Sequence, residues 1–175
     1  MAEASRRVFL ALWPDEACAD RLDGLAASAH GAYGGRRMRR STLHMTLAFI
    51  GNVADSALPR IAGAVDTVSG GAFEIQLDTL GFWPRQGIVW ASCATPPKAL
   101  ATLAGALRHA LGAASIRVAG PGFMPHVTLL RKVPGPVDLP LPEPLVWCAR
   151  EMVLVESLLG PQGAEYRRLG VWPLK

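Results

Sequence analysis

His44 and Thr46 lie in the run TLHMTLAFIG, and His126 and Thr128 lie in MPHVTLLRKV. The histidines are 82 residues apart, and each opens the pattern His-x-Thr-Leu: His44-Met45-Thr46-Leu47 and His126-Val127-Thr128-Leu129. Imidazole is the side chain suited to moving a proton near neutral pH. One imidazole can take a proton from water while the other delivers one to a departing oxygen. A threonine hydroxyl can donate to a non-bridging phosphate oxygen, and that bond strengthens as charge builds on phosphorus. Two such pairs therefore suit phosphoryl chemistry with paired proton transfer. Spacing alone does not assign which histidine is acid and which base. The chain has four histidines. His30 and His109 fall near predicted helix ends and are read as surface or capping residues.

The neighbourhood of the motifs argues against other chemistries. No carboxylates stand close by, as Mg²⁺ or Ca²⁺ would want. No local third ligand accompanies a histidine, as zinc would want. Neither a Gly-x-Ser-x-Gly elbow nor a glycine-rich phosphate loop occurs. Cys18, Cys93 and Cys148 are too few and too scattered for a disulfide framework or a metal knuckle, and a reducing cytosol suits them. No metal or cofactor is expected.

Side chains on a strand alternate between faces. His44 and Thr46 then share one face, and Leu43, Met45, Leu47 and Phe49 the other. His126 and Thr128 likewise oppose Val127 and Leu129. If the two strands face each other, two imidazoles and two hydroxyls converge in one cleft. Arg131 is off the parity of His126 and Thr128, and reaches that cleft only if its strand ends or bulges.

The elements that must hold these strands can be read in order. Arg7–Leu12 is a short buried strand. A helix follows Asp15, with Cys18, Leu22, Leu25 and Ala29 on one face, and GAYGG breaks it. Leu58, Ile61, Ala62, Val65 and Val68 mark a second helix, with Asp55 or Ser56 as its cap. AFEIQLDTLGFW and GIVWASCA read as two strands joined through residues 84–87. Thr95-Pro96-Pro97 opens a third helix carrying Leu100, Leu103, Ala104, Leu107 and Leu111, and Gly112 stops it. VPGPVDLPLPEP is a loop, LVWCAREMVLVES a strand and AEYRRLGVWPL a closing segment. The pattern is α+β with a degenerate internal duplication.

Half the residues are hydrophobic and 18% are charged, which favours a folded core over disorder. No apolar run reaches the ~20 residues of a membrane helix, and the N-terminal run reads as a first strand rather than a cleaved leader. The net charge of +4 and pI of about 9.3 favour anionic partners. Arg36, Arg37, Arg39 and Arg40 sit just before the first motif and form a candidate phosphate-attracting rim.

Taken together, the paired motifs resemble the signature of the 2H phosphoesterases. More narrowly, the chain resembles the bacterial and archaeal RNA 2′,3′-cyclic phosphodiesterases, long labelled 2′-5′ RNA ligases. RVFLALWPDE resembles the family's opening strand, FEIQLDTLGFWP…GIVWA its middle hairpin, and ESLLGPQGAEYRRLGVWPL its terminal Ser…Gly…Tyr…Leu pattern. The resemblance implies one bilobal domain over residues 1–175. It implies an α+β fold with two pseudo-symmetric, mainly antiparallel sheets around a central cleft and helices outside. It also implies metal-free opening of a terminal RNA 2′,3′-cyclic phosphate to a 2′-phosphate. By the same resemblance His44 is the proton donor, His126 the proton acceptor, and Thr46, Thr128 and Arg131 phosphate ligands. Tyr166 is a candidate for stacking on a base, with a packed aromatic as the alternative; Phe9, Trp13 and Phe123 read as core residues whose rings near the predicted cleft keep base stacking open.

The expected partners are RNA ends or small nucleotide 2′,3′-cyclic phosphates, handled by a cytoplasmic monomer without a membrane. Two alternatives stand beside this reading. One is a 2H enzyme for another cyclic or 2′-5′ linked nucleotide. The other is a non-catalytic module that binds RNA ends.

Overall fold

A computed structural model describes residues 4–120, 122–138, 143–161 and 163–175. In chain order the elements are β1 (Ser5–Leu12), α1 (Glu16–Tyr33), β2 (Arg36–Arg37), β3 (Met45–Ala54), α2 (Leu58–Asp66), β4 (Phe73–Leu77), β5 (Thr79–Trp83), β6 (Ile88–Ser92), α3 (Lys98–Ala113), β7 (Val127–Arg131), β8 (Leu145–Ala149), β9 (Glu151–Gly160) and β10 (Gly163–Pro173). Part of the predicted loop VPGPVDLPLPEP, residues 139–142, lies outside the described residues.

Each helix starts and stops for a local reason. The Asp15 carboxylate accepts from the Cys18 N–H at 2.8 Å and caps α1. The helix runs through Gly31 and stops at Gly34, whose φ of 68° turns the backbone left-handed. Asp55 does not cap α2 as expected. It opens a 3₁₀ turn, and its carboxylate grips the Arg6 guanidinium at 2.6 and 3.0 Å. Pro59 instead fits the first turn of α2, where no N–H is needed. Pro97 occupies the N-cap position of α3 without a side-chain cap. The expected stripe Leu100, Leu103, Ala104, Leu107 and Leu111 is buried.

The main sheet has the strand order β10-β9-β1-β3-β7-β6-β5, with β2 also paired to β7, and every pairing is antiparallel. Its two halves meet at one registered pair, Met45 with Val127, both fully buried. These are the spacer residues of the two His-x-Thr motifs. The seam between the halves therefore runs through both motifs. In each half the helices cover one face: α1 packs on β7 and β8, while α2 and α3 pack on each other and on β10 and β3. Val8, Leu10 and Leu12 point into that helix-covered core. Phe9 and Ala11 point the other way, into a smaller cluster with Val153 and Val155.

Two predicted strands are each broken in two. AFEIQLDTLGFW divides at Asp78 and LVWCAREMVLVES at Arg150. The reason is shared. β4 and β8 leave the main sheet to pair with each other, while β5 and β9 remain in it. Asp78 stabilises the first break, its carboxylate accepting from the Ala94 N–H at 2.6 Å. In the β5–β6 hairpin, a Cβ on Gly81 would fall 2.0 Å from the Trp90 ring, so the indole requires glycine there.

Because Met45 fills the seam, Met45→Ala leaves a void that the surrounding core cannot fully close. The expected loss is about 2–5 kcal/mol in a denaturant titration, within one cooperative transition. An unchanged midpoint would contradict a packed seam.

Candidate active site

A cavity of about 540 Å³ opens over the seam, on the side away from the helices. His44, Thr46, His126, Thr128 and Arg131 all line it. Continuing the antiparallel register of Met45 and Val127 sets His44 beside Thr128 and Thr46 beside His126. Each imidazole therefore neighbours the hydroxyl of the other half.

The two histidines are held alike. Each sits one residue before its strand and donates from Nδ1 to the carbonyl two residues back. His44 reaches the Thr42 carbonyl at 2.7 Å, and His126 the Met124 carbonyl at 2.9 Å. A carbonyl only accepts, so Nδ1 carries the hydrogen in both rings and Nε2 keeps its lone pair for the cavity. The backbone beside each carbonyl is tied down. Thr42 closes a 3₁₀ turn, its hydroxyl donating to the Arg39 carbonyl at 2.7 Å. The Ser92 hydroxyl donates to the Pro125 carbonyl beside His126.

The fourth motif residue has its own function. Along β3, Thr46 pairs with Ala11 and Ala48 with Leu10, so Leu47 is an extra residue. Along β7, Thr128 pairs with Trp90 and Leu130 with Val89, so Leu129 is the extra residue. Each bulge flips the parity that follows it. Phe49 thus lines the cavity with Thr46, contrary to the core-side position that simple alternation predicts. The same device turns Arg131 inward with Thr128. The halves present His44, Thr46, Phe49 and His126, Thr128, Arg131 at identical spacing.

Their surroundings differ. The His44 ring stacks on Trp13 at 5.2 Å and 10°, lies 4.9 Å from Phe9, and meets Tyr166 edge-on at 5.2 Å. His126 meets Trp83 edge-on at 4.8 Å. Burial pushes His44 down to about 4; the Thr42 carbonyl opposes this, while His126 and Arg131 add to it. Burial also lowers His126, opposed by the Met124 carbonyl and aided by Arg131. Both rings are therefore neutral at pH 7 in the free protein. Burial raises the Tyr166 phenol, against the pull of Arg131, Arg7, Arg36 and Arg39.

The basic run divides by partner. Arg36, Arg37 and Arg39 line the cavity, but among the described residues only Arg36 and Arg39 do so without a carboxylate partner. Arg37 bonds Asp23 at 2.6 Å, and Arg40 bonds Asp20 and Glu16 at 2.6 Å, tying both to α1. Phe123 packs on the main core as expected, and Phe9 and Trp13 belong to the smaller cluster, from which both rings also meet His44. Arg7 and Trp83 were not singled out from sequence. Arg7 is legible: Arg7, Phe9 and Ala11 fall on one parity of the first strand, and Trp13 follows on the same parity just beyond its end. Trp83 lies at the end of a hairpin strand, with no polar pattern to mark it. His30 lies in the last turn of α1, its Nδ1 donating to the Gly34 carbonyl at 3.3 Å, and His109 is exposed. The three cysteines are free. Among the described residues, no group of three or more His, Cys, Asp or Glu side chains could hold a metal.

A family model described as LigT like phosphoesterase matches residues 12–90, which include His44 and Thr46. The RNA 2′,3′-cyclic phosphodiesterase of Escherichia coli K12 is 32% identical over 145 residues, covering 80% of each chain. That of Thermus thermophilus is 30% identical over 143 residues, 76% of this chain and 72% of that one. The crystal structure of E. coli LigT complexed with 3′-AMP superposes with a TM-score of 0.89 at 27% identity, covering 98% of this chain and 99% of that one.

Titration of the imidazoles by ¹⁵N NMR should find both rings as the Nδ1–H tautomer at pH 7. His44 should titrate near 4 and His126 below its ordinary 6.5. A His44 midpoint at or above 6.5 would contradict the burial by its aromatic cage.

Proposed function

The chain belongs to the LigT-like 2H phosphoesterases, and on that premise we propose that it hydrolyses terminal RNA 2′,3′-cyclic phosphates to 2′-phosphates. One observation carries the reading: two imidazoles in the same tautomer turn free Nε2 atoms into one cavity from opposite sides of the seam. A displacement at phosphorus needs a proton removed on one side and supplied on the other.

In the forward step, His126 Nε2 takes a proton from water, and the oxygen attacks phosphorus. The bond from phosphorus to the 3′ oxygen breaks. His44 Nε2–H protonates that oxygen, leaving the phosphate on the 2′ oxygen. Thr46 and Thr128 donate to the non-bridging oxygens, where charge accumulates. Arg131 sets a guanidinium beside them. The acid and base roles follow the resemblance. A donor role for His44 has a consequence: the ring most firmly held neutral must gain its proton when the anionic substrate arrives. Tyr166 fits a positioning role better than a stacking one, because Phe9, Trp13 and His44 already meet its ring. The reading extends to one bilobal domain acting as a cytoplasmic monomer. Three free cysteines are compatible with a reducing compartment, and no helix among the described residues is long and apolar enough to cross a membrane.

Incubation with an RNA ending in a 2′,3′-cyclic phosphate, in EDTA, should give a 2′-phosphate end. His44→Ala and His126→Ala should each slow turnover on the order of 10²–10⁴-fold, and Thr46→Ala and Thr128→Ala by less. Binding without turnover would favour an RNA-end binding module, and full activity of His126→Ala would overturn the mechanism.

The pH profile has a definite sign. A lowered imidazole loses its proton at lower pH, so the alkaline limb of kcat/KM should fall below pH 6.5. Bound phosphate favours the imidazolium, so the same limb of kcat should lie higher. An alkaline limb of kcat/KM above 6.5 would contradict this.

A further inference from the structure

The cavity holds more positive charge than one cyclic phosphate requires. Arg7, Arg36, Arg37, Arg39 and Arg131 all line it, and no Asp or Glu does so among the described residues. A cyclic phosphodiester carries a single negative charge, and Arg131 stands closest to it in sequence register, three residues after Thr128. The Arg37 guanidinium is taken by Asp23, which does not line the cavity, so three guanidiniums remain.

Those three are fixed by contacts that leave their charge uncompensated. Arg39 donates from Nη2 to the Ala164 carbonyl at 2.7 Å. Arg36 crosses Gly163 so closely that a Cβ there would sit 3.0 Å from its Nη1. Gly163 has a φ of 112°, so backbone conformation and the arginine both call for glycine. Arg7 lies over the Phe49 ring, 5.0 Å from its centroid. Their sequence neighbours show the contrast: Arg6, Arg37 and Arg40 are each neutralised by carboxylates. The charges of Arg7, Arg36 and Arg39, with that of Arg131, all reach the Tyr166 phenol, so they converge. Clustered like charges repel unless an anion lies among them.

We propose that Arg7, Arg36 and Arg39 form a second phosphate subsite, which takes the internucleotide phosphate on the 5′ oxygen of the terminal nucleoside. The subsite rests on the phosphodiesterase reading and sharpens it: the protein selects polynucleotide ends over isolated nucleoside 2′,3′-cyclic phosphates. Arg36 and Arg39 dock on the start of β10, so that strand sets the spacing between the two phosphates.

Two substrates decide it: a nucleoside 2′,3′-cyclic phosphate, and a dinucleotide ending in the same group. The dinucleotide should have a kcat/KM on the order of 10- to 100-fold higher. Its dependence on log salt should be steeper by about 0.7 per added phosphate contact. Arg36→Gln and Arg39→Gln should each pull the ratio of the two substrates toward one. Arg117→Gln, an exposed arginine outside the cavity, should leave that ratio as in the wild type. Equal kcat/KM for the two substrates overturns the subsite, as does an equal loss on both in Arg36→Gln and Arg39→Gln. Calorimetric titration with a nucleoside 2′-phosphate and with a dinucleotide 2′-phosphate reads the same ratio without catalysis. If neither cyclic substrate turns over, the phosphodiesterase reading fails. The binding ratio still decides the subsite, and equal affinities overturn it.

Discussion

The antiparallel pair of Met45 with Val127 is the constraint on which the site depends. It is the one registered contact between β3 and β7, and it falls on the spacer of each His-x-Thr motif. Burying the two spacers together forces their flanking residues to the opposite face. Side-chain alternation then brings two imidazoles and two hydroxyls to one line across the seam. A shift of one residue in this register would send the polar residues into the helix-covered core. The apolar and polar halves of the motif are thus one structural requirement.

On this shared frame the halves diverge. Equal bulges at Leu47 and Leu129 deliver Phe49 to one side and Arg131 to the other. His44 sits among Trp13, Phe9 and Tyr166, whereas His126 meets Trp83. Two groups in identical surroundings would compete for one proton with equal strength. Different surroundings separate their affinities, which an acid and a base working together require. The duplication supplies geometry, and the aromatic cage supplies the asymmetry.

Much of this was legible in the chain because it rests on local periodicity. The polar parity of His44, Thr46, His126 and Thr128, the stripe on α3 and the hairpin around residues 84–87 follow from spacing of two or about 3.6 residues. What was not legible rests on long-range pairing. The bulge at Leu47 exists because β1 lies alongside, so Phe49 could not be placed from alternation. The breaks at Asp78 and Arg150 arise because β4 and β8 find each other across the chain. Asp55 reads as a cap until Arg6, 49 residues away, claims its carboxylate. The division of Arg36 and Arg39 from Arg37 and Arg40 depends on acids presented by α1.

The most direct test of the central claim is a double-mutant cycle on turnover of an RNA 2′,3′-cyclic phosphate with His44→Ala, His126→Ala and the double variant. If the seam makes the two histidines one catalytic unit, the double variant loses about as much as the worse single variant. Losses that multiply would mean that the two imidazoles act independently, and would contradict the account.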